Sequence, residues 1–323
     1  MIRVKVIFYS GLFLSFLCAS GLMLYFGKET FHVSSEQRKA EEFAYHFVLI
    51  PEEVDNAYWR LVEKGARDAA KVHGVYVDYI GPKQANREEH VKTFHAAIAG
   101  RVDGIMVQGG EDPALLELLA KAKQKGIPAV TVDTDSPKSS RAAYIGTNNY
   151  YAGFLAGQAL LKDTSGSQYV GIVTGRFQSA NQKLRVDGFK AAVQQEKRIQ
   201  IMGIEESNIT KIGAVEAAYR LMKQHPGITA LYGTSALDAA GIAGVATYLR
   251  RDDMYVIGFD TLPETLALIK AEAVRASVTQ NPYEMGYKAV ESLVKIKNGE
   301  SVEPLQHTPT RVIRKNDLVK EPV

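Results

Sequence analysis

A single cysteine, Cys18, occurs in 323 residues, so the chain cannot form a disulfide with itself. Metal sites built from several thiolates and dithiol redox pairs are excluded with it. A cytosolic protein could carry the same count, so cysteine usage does not fix the compartment. An excess of one charge is also missing: 39 Lys and Arg stand against 36 Asp and Glu, a net +3. The two signs are interspersed, so no basic stripe exists to track a phosphate backbone, and nucleic acid is not an expected partner. The sequence devices of common enzymes are absent as well. The first β-rich run ends in Pro51-Glu52-Glu53-Val54-Asp55, not in the glycine-rich turn that lets backbone N–H groups approach a pyrophosphate. There is no GxxxxGK[ST] loop, no HExxH pair and no GxSxG elbow. His90 and His95, five apart on a polar stretch, read as solvated side chains and not as metal ligands. Asp252-Asp253 reads as a helix-ending turn without the flanking oxygen donors that calcium needs. No catalysis, cofactor or metal is expected.

What is present is a folded chain, 46% hydrophobic and 23% charged, long enough for two domains. Arg3 and Lys5 precede an uncharged run from Val6 to Phe26. A helix over that run spans roughly 30 Å, the thickness of a bilayer core. Basic residues before it place the N-terminus in the cytoplasm and the remainder outside. Ala19-Ser20 imitates a signal-peptide cleavage site, but Leu22-Met23-Leu24-Tyr25-Phe26 carries the apolar run past it. Cys18 follows Phe16-Leu17, where a lipid-attachment cysteine would follow a small residue. The expectation is one uncleaved transmembrane helix within residues 1–27, with a cleaved signal or a lipoprotein as the alternative. Residues 28–44, charged through Ser35-Glu36-Gln37-Arg38-Lys39, read as a solvated spacer.

From Tyr45 onward short apolar runs alternate with helical stretches. Runs such as His46–Ile50, Val75–Ile80, Gly104–Val107 and Pro128–Val132 recur later as Tyr169–Val173, Ile199–Met202, Thr229–Tyr232 and Tyr255–Phe259. Between the first two lies a helical pattern with Leu61, Ala66, Ala69 and Ala70 on its apolar side. Repeated strand–helix–strand units predict an α/β fold with parallel sheets covered on both faces. About nine such units exceed one doubly wound domain, so two lobes are expected.

Ligands of parallel α/β sheets bind beyond the carboxyl ends of the strands. Those ends carry Asn56, Tyr58 and Trp59, then Asp133 and Asp135, then Asn181 and Arg185, then Ser235, Asp260 and Gln280. Carboxylates, arginine and amides suit the hydroxyls of a sugar, and aromatic faces suit its C–H faces. Each residue has a plainer reading: Tyr58 and Trp59 as core, Asp133 and Asp260 as helix caps, Gln280 as loop. Their recurrence at the strand ends of both lobes favours a binding site.

The stretch from Phe47 to about Arg314 resembles the ribose/galactose-type periplasmic sugar-binding proteins, which share a fold with the sugar-binding core of the lactose-repressor family. The resemblance is carried by Asn56-Ala57-Tyr58-Trp59, Thr131-Val132-Asp133, Tyr144-Ile145-Gly146-Thr147-Asn148-Asn149, Arg185-Val186-Asp187-Gly188-Phe189, Val256-Ile257-Gly258-Phe259-Asp260 and Ser277-Val278-Thr279-Gln280. It implies two doubly wound lobes joined by a three-strand hinge near Thr147–Asn149, Gln280–Pro282 and His307–Thr310. Residues 45–147 with 281–308 would form the N-lobe, and 148–280 with 309–323 the C-lobe and tail. Asn56, Tyr58, Trp59 and Asp133 would then hold a monosaccharide from one lobe, Asn181, Arg185 and Asp260 from the other, with Gln280 at the hinge. Thr134 stands where the family often has arginine, and Ser235-Ala236 where it has an Asn-Asp pair, so ribose specificity does not carry over. The resemblance further implies an extracytoplasmic binding protein whose partner is a membrane sensor histidine kinase or an ABC permease. A transcriptional repressor would need a helix-turn-helix where the membrane span lies.

Overall fold

A computed structural model describes residues 11, 13–23 and 43–318. The chain divides into two compact units, residues 1–43 and 44–323. In the first unit, residues 11 and 13–23 are helical. Residues 6–10, 12 and 24–26 of the expected span, and the expected spacer apart from its last two residues, lie outside the described residues. Among the described residues no helix is long and apolar enough to cross a membrane.

The second unit begins with β1 (His46–Ile50), where Phe47 and Leu49 enter one core cluster and Val48 and Ile50 another. A strand buried on both faces is what a helix-covered parallel sheet requires. Around it stand α1 (Ala57–His73), β2 (Tyr76–Tyr79), α2 (Arg87–Ala99), β3 (Gly104–Gln108), α3 (Pro113–Gln124), β4 (Ala129–Val132) and β5 (Ala143–Gly146). The chain then crosses to a second lobe, and α4 (Asn149–Asp163) packs there, against α5 (Ala180–Val193). That lobe also holds β6 (Gln168–Thr174), β7 (Ile199–Glu206), α6 (Lys211–Gln224), β8 (Ala230–Gly233), α7 (Asp238–Tyr248), β9 (Tyr255–Phe259), α8 (Pro263–Lys270) and β10 (Ala276–Val278). The chain returns with α9 (Pro282–Lys297), which packs on α1, and with β11 (Leu305–His307). It crosses once more to β12 (Val312–Ile313).

The two six-stranded sheets have one order used twice: β11-β5-β4-β3-β1-β2 and β12-β10-β9-β8-β6-β7. Position for position, β4 therefore corresponds to β9 and β5 to β10. The sheets are parallel as the pattern predicts, except that β12 runs antiparallel to β10. The helices following β5 and β10 exchange lobes, and each is capped by an asparagine at the crossing. Asn148 accepts the Tyr151 N–H at 3.0 Å, and Asn281 accepts the Glu284 N–H at 3.1 Å.

Three strands have no counterpart in the periodicity: β5, β11 and β12. β5 follows β4 with no helix between them, so it stands outside the strand–helix rhythm, and the other two are edge strands of three and two residues. Two side chains also depart from expectation. Leu61 is 40% exposed, because the apolar stripe of α1 runs through Tyr58, Val62, Ala66 and Ala69, a turn of about 100° away. His90 is not solvated: it is half-buried with Nε2 unpartnered, and burial holds its pKa below the ordinary value. Among the described residues no cluster of side chains could hold a metal ion.

Candidate ligand-binding cleft

The carboxyl ends of both sheets face a cavity of about 50 Å³ between the lobes. Two aspartates oppose each other there. Asp133 follows β4 and Asp260 follows β9, and both have left-handed backbones, φ 65° and φ 68°. Each is locked by the neighbouring strand. The Asp133 N–H donates to Ile145 O at 3.0 Å, and its carbonyl accepts the Tyr144 hydroxyl at 2.8 Å. The Asp260 N–H donates to Val278 O at 2.8 Å, and its carbonyl accepts the Ser277 hydroxyl at 2.7 Å. Left-handed backbone at non-glycine residues costs energy and is held only where surroundings over-determine it.

Arg185, 2% exposed, projects from α5. Its guanidinium lies 3.7 Å from the centroid of the Phe259 ring. Nε donates to Asn149 Oδ1 at 2.8 Å, Nη1 to Thr234 O at 2.9 Å and Nη2 to Gln280 Oε1 at 3.4 Å. Those bonds use three of five N–H donors and leave others for a ligand. Gln280 ties the crossings together: it accepts the Thr147 hydroxyl at 2.8 Å and donates to Asp260 Oδ2 at 3.0 Å. Burial raises the Asp260 carboxyl to about 7, with Arg185 and Gln280 pulling it down and the Asp133 charge pushing it up.

On the opposite wall the Tyr58 hydroxyl donates to Asp133 Oδ1 at 2.7 Å, and burial beside that carboxylate drives its pKa well above the ordinary value. Trp59 packs edge-on against Tyr58 at 5.7 Å between centroids. Both rings belong to the core cluster and also line the cavity. Asn56 lines the cavity and caps α1 through the Tyr58 N–H. From the other lobe Asn181 Nδ2 reaches Asp133 Oδ2 at 3.3 Å, a direct bond across the cleft. Ser235 lines the cavity with Oγ unpartnered, while its N–H donates to Asp238.

Asp135 is the exception among the ten residues read from the strand ends: it does not line the cavity. Its carboxylate accepts the Ser136 N–H at 2.7 Å and the Thr131 hydroxyl at 3.1 Å, and pairs with Arg141. Once the chain turns at Asp133, the next acidic side chain is claimed by its own loop. Several lining residues escaped the sequence reading. Glu52 follows β1, accepts from Gln108 at 3.2 Å and pairs across the cleft with Arg176, which follows β6. Burial raises the Glu52 pKa and Arg176 opposes the rise. Gln108 ends β3, so the strand-end rule applied to that strand would have found it. Gln182 and Ile209 also line the cavity; Gln182 is the residue after Asn181 and had no strand-end signal of its own.

Comparison with known proteins agrees with this two-lobed fold. Residues 47–301 match the periplasmic binding protein domain. A glucose-galactose binding protein from Geobacillus stearothermophilus, GanP, superposes with a TM-score of 0.83 at 54% identity, over 85% of this chain and 99% of that one. The XylFII-LytSN complex superposes at 0.80 with 34% identity, over 84% and 98%. The D-allose-binding periplasmic protein of Escherichia coli (strain K12) is 25% identical over 82% of this chain and 89% of its own. The chain belongs to the periplasmic binding protein family, whose members bind solutes and are not enzymes.

Proposed function

We propose that this periplasmic binding protein takes up a monosaccharide of the aldohexose class between its lobes and offers the closed form to a membrane partner. The observation that carries the reading is the ring of buried polar groups at the lobe interface. Asp133, Asp260, Arg185, Asn181 and Gln280 converge beside Tyr58 and Trp59 around one cavity. Such a set places charge-assisted hydrogen bonds around a hydroxylated ring and an aromatic wall against its C–H face. The glucose-galactose binding relative supports the hexose class. An ABC permease fits the family, a membrane sensor is the second candidate partner, and XylFII, a relative, has been solved in complex with a protein partner, LytSN. A membrane tether rests on the apolar run Val6–Phe26; its described side chains Phe13, Leu14, Phe16, Leu17, Leu22 and Met23 are all exposed.

Calorimetry and thermal melting against D-glucose, D-galactose, D-allose, D-ribose and D-xylose test the reading. A sugar at 100 times its Kd should stabilise the fold by about 2.7 kcal/mol. No heat and no shift with any of them would sink it. Mass spectrometry of the membrane fraction checks the tether, expecting residues 1–26 retained; a mature N-terminus near Gly21 or a lipidated Cys18 would remove it.

A further inference from the structure

We infer that Ile209 is the size gate of the cleft, the side chain that limits the ligand to one ring. The inference rests on the monosaccharide reading above and deepens it. Outside the inner cavity lies an open groove of about 910 Å³, walled by Glu53, Asp55 and Asn86 on one lobe and by Thr210 and Lys211 on the other. Three residues line both spaces: Asn56, Ile209 and Leu237. The groove carries charged side chains on both walls, its volume exceeds that of a second sugar ring, and the three shared residues form the partition where it borders the inner cavity.

Ile209 stands apart within that partition. Its φ is +56°, and Asn208 before it is also left-handed at +55°. Asparagine tolerates that conformation, whereas a β-branched residue there is a true outlier. The loop that imposes it is over-determined. Ser207 Oγ accepts the Ile209 N–H at 3.2 Å, and the Ser207 N–H is anchored to Thr174 O at 2.8 Å. Thr210 caps α6 through the Gly213 N–H at 3.0 Å, and a Cβ on Gly213 would come within 1.9 Å of Ser207 O. The side chain is thereby held over the end of β6, where a Cβ on Gly175 would lie 2.8 Å from Ile209 Cγ1. Strain of this kind persists at clamps and specificity walls, where a side chain must occupy one place. Leu237, the apolar neighbour, has an ordinary backbone, φ −99°.

The test compares the ratio of disaccharide to monosaccharide Kd in the unaltered protein, Ile209→Ala, Ile209→Gly and, as a control, Ile212→Ala on the exposed face of α6. Trehalose, cellobiose and gentiobiose, which extend glucose at O1, O4 and O6, serve as disaccharides, with D-glucose and D-galactose as monosaccharides. At least one ratio should fall tenfold or more in both Ile209 variants and stay unchanged in the control. Ile209→Gly should melt no lower than the unaltered protein, because glycine adopts φ +56° without a Cβ clash, so loss of fold cannot mask the result. Unchanged ratios, or disaccharide binding by the unaltered protein as tight as monosaccharide binding, overturn the gate alone. Absence of monosaccharide binding by the unaltered protein overturns the parent reading and the gate with it.

Discussion

At the scale of single residues the candidate site is built around two aspartates in one backbone conformation. Asp133 and Asp260 follow corresponding strands, and a hydroxyl from the next strand holds each carbonyl. Both were legible in the sequence because each is a polar residue that ends an apolar strand. Asp135 carried the same signal and misled, since nothing in its spacing reveals that Arg141 will claim it. The Asp260 carboxyl, raised to about 7 by burial, should make the candidate site pH-dependent. Between about pH 4 and 7 the empty folded protein holds a proton that the unfolded chain has lost, so its stability falls as pH rises through that window and levels off above it. A sugar hydroxyl donating to the carboxylate favours the charged form, lowers its pKa and releases the proton. Affinity should therefore be highest above pH 7 and weaken by up to about tenfold per unit below it. Titrations in buffers of different ionisation heat should show proton release near pH 6.5. Asp260→Asn should bind at least about tenfold more weakly, the cost of losing a charged hydrogen bond, with a flat profile. A slope in that variant equal to the unaltered one would assign the titration elsewhere.

Among the elements, the helix pairs α1·α9 and α4·α5 show how the lobes are assembled. Each crossing is made by two reciprocal glycines. A Cβ on Gly65 would come within 1.9 Å of Tyr283 O, and one on Gly286 within 1.9 Å of Val62 O. In the other lobe Gly153 meets Arg185 O and Gly188 meets Tyr150 O, each at 1.9 Å. These glycines are invisible to periodicity, because close approach of two backbones leaves no hydrophobic pattern. The strands were legible where they alternate with helices, which is why β1, β3 and β9 stood out and β5, β11 and β12 did not. Gly153 touches the backbone of the residue that bears the guanidinium. Gly153→Ala should cost about 1–3 kcal/mol of stability by overpacking and also weaken sugar binding by displacing Arg185. Gly65→Ala, the same crossing in the other lobe, should cost similar stability with a smaller effect on affinity. Calorimetric melting and titration of the two variants separate these outcomes; equal losses of affinity would show that the crossing does not position Arg185.

For the whole molecule, the exchange of α4 and α9 between lobes means that the chain crosses three times near the same place. The crossings are cross-linked by Thr147 to Gln280 and by the Thr308 N–H to Gly146 O at 2.9 Å. On the proposed closure, such a bundle would leave rotation about the crossings as the soft motion, absorbed by a few backbone dihedrals. Contacts across the cleft would then decide the balance between open and closed forms. Two are direct: Asn181 to Asp133, and Arg176 to Glu52 at the mouth. Opening returns both charges of the second pair to water, so the pair is a latch of modest strength, about 0.2–1 kcal/mol for a partly exposed ion pair. A ligand bonded to both lobes adds its differential affinity for the closed form and shifts the population further. Arg176→Ala touches no candidate ligand contact, yet it lowers the fraction of molecules ready to close. Affinity should weaken by that fraction, up to about fivefold, with the bound geometry unchanged. Small-angle scattering of the ligand-free proteins should show a larger radius of gyration for the variant, and saturating sugar should bring both to the same compact value. Identical radii without ligand would mean that the pair does not bias closure, and a radius unmoved by sugar in the unaltered protein would remove closure as the way this molecule reports its ligand.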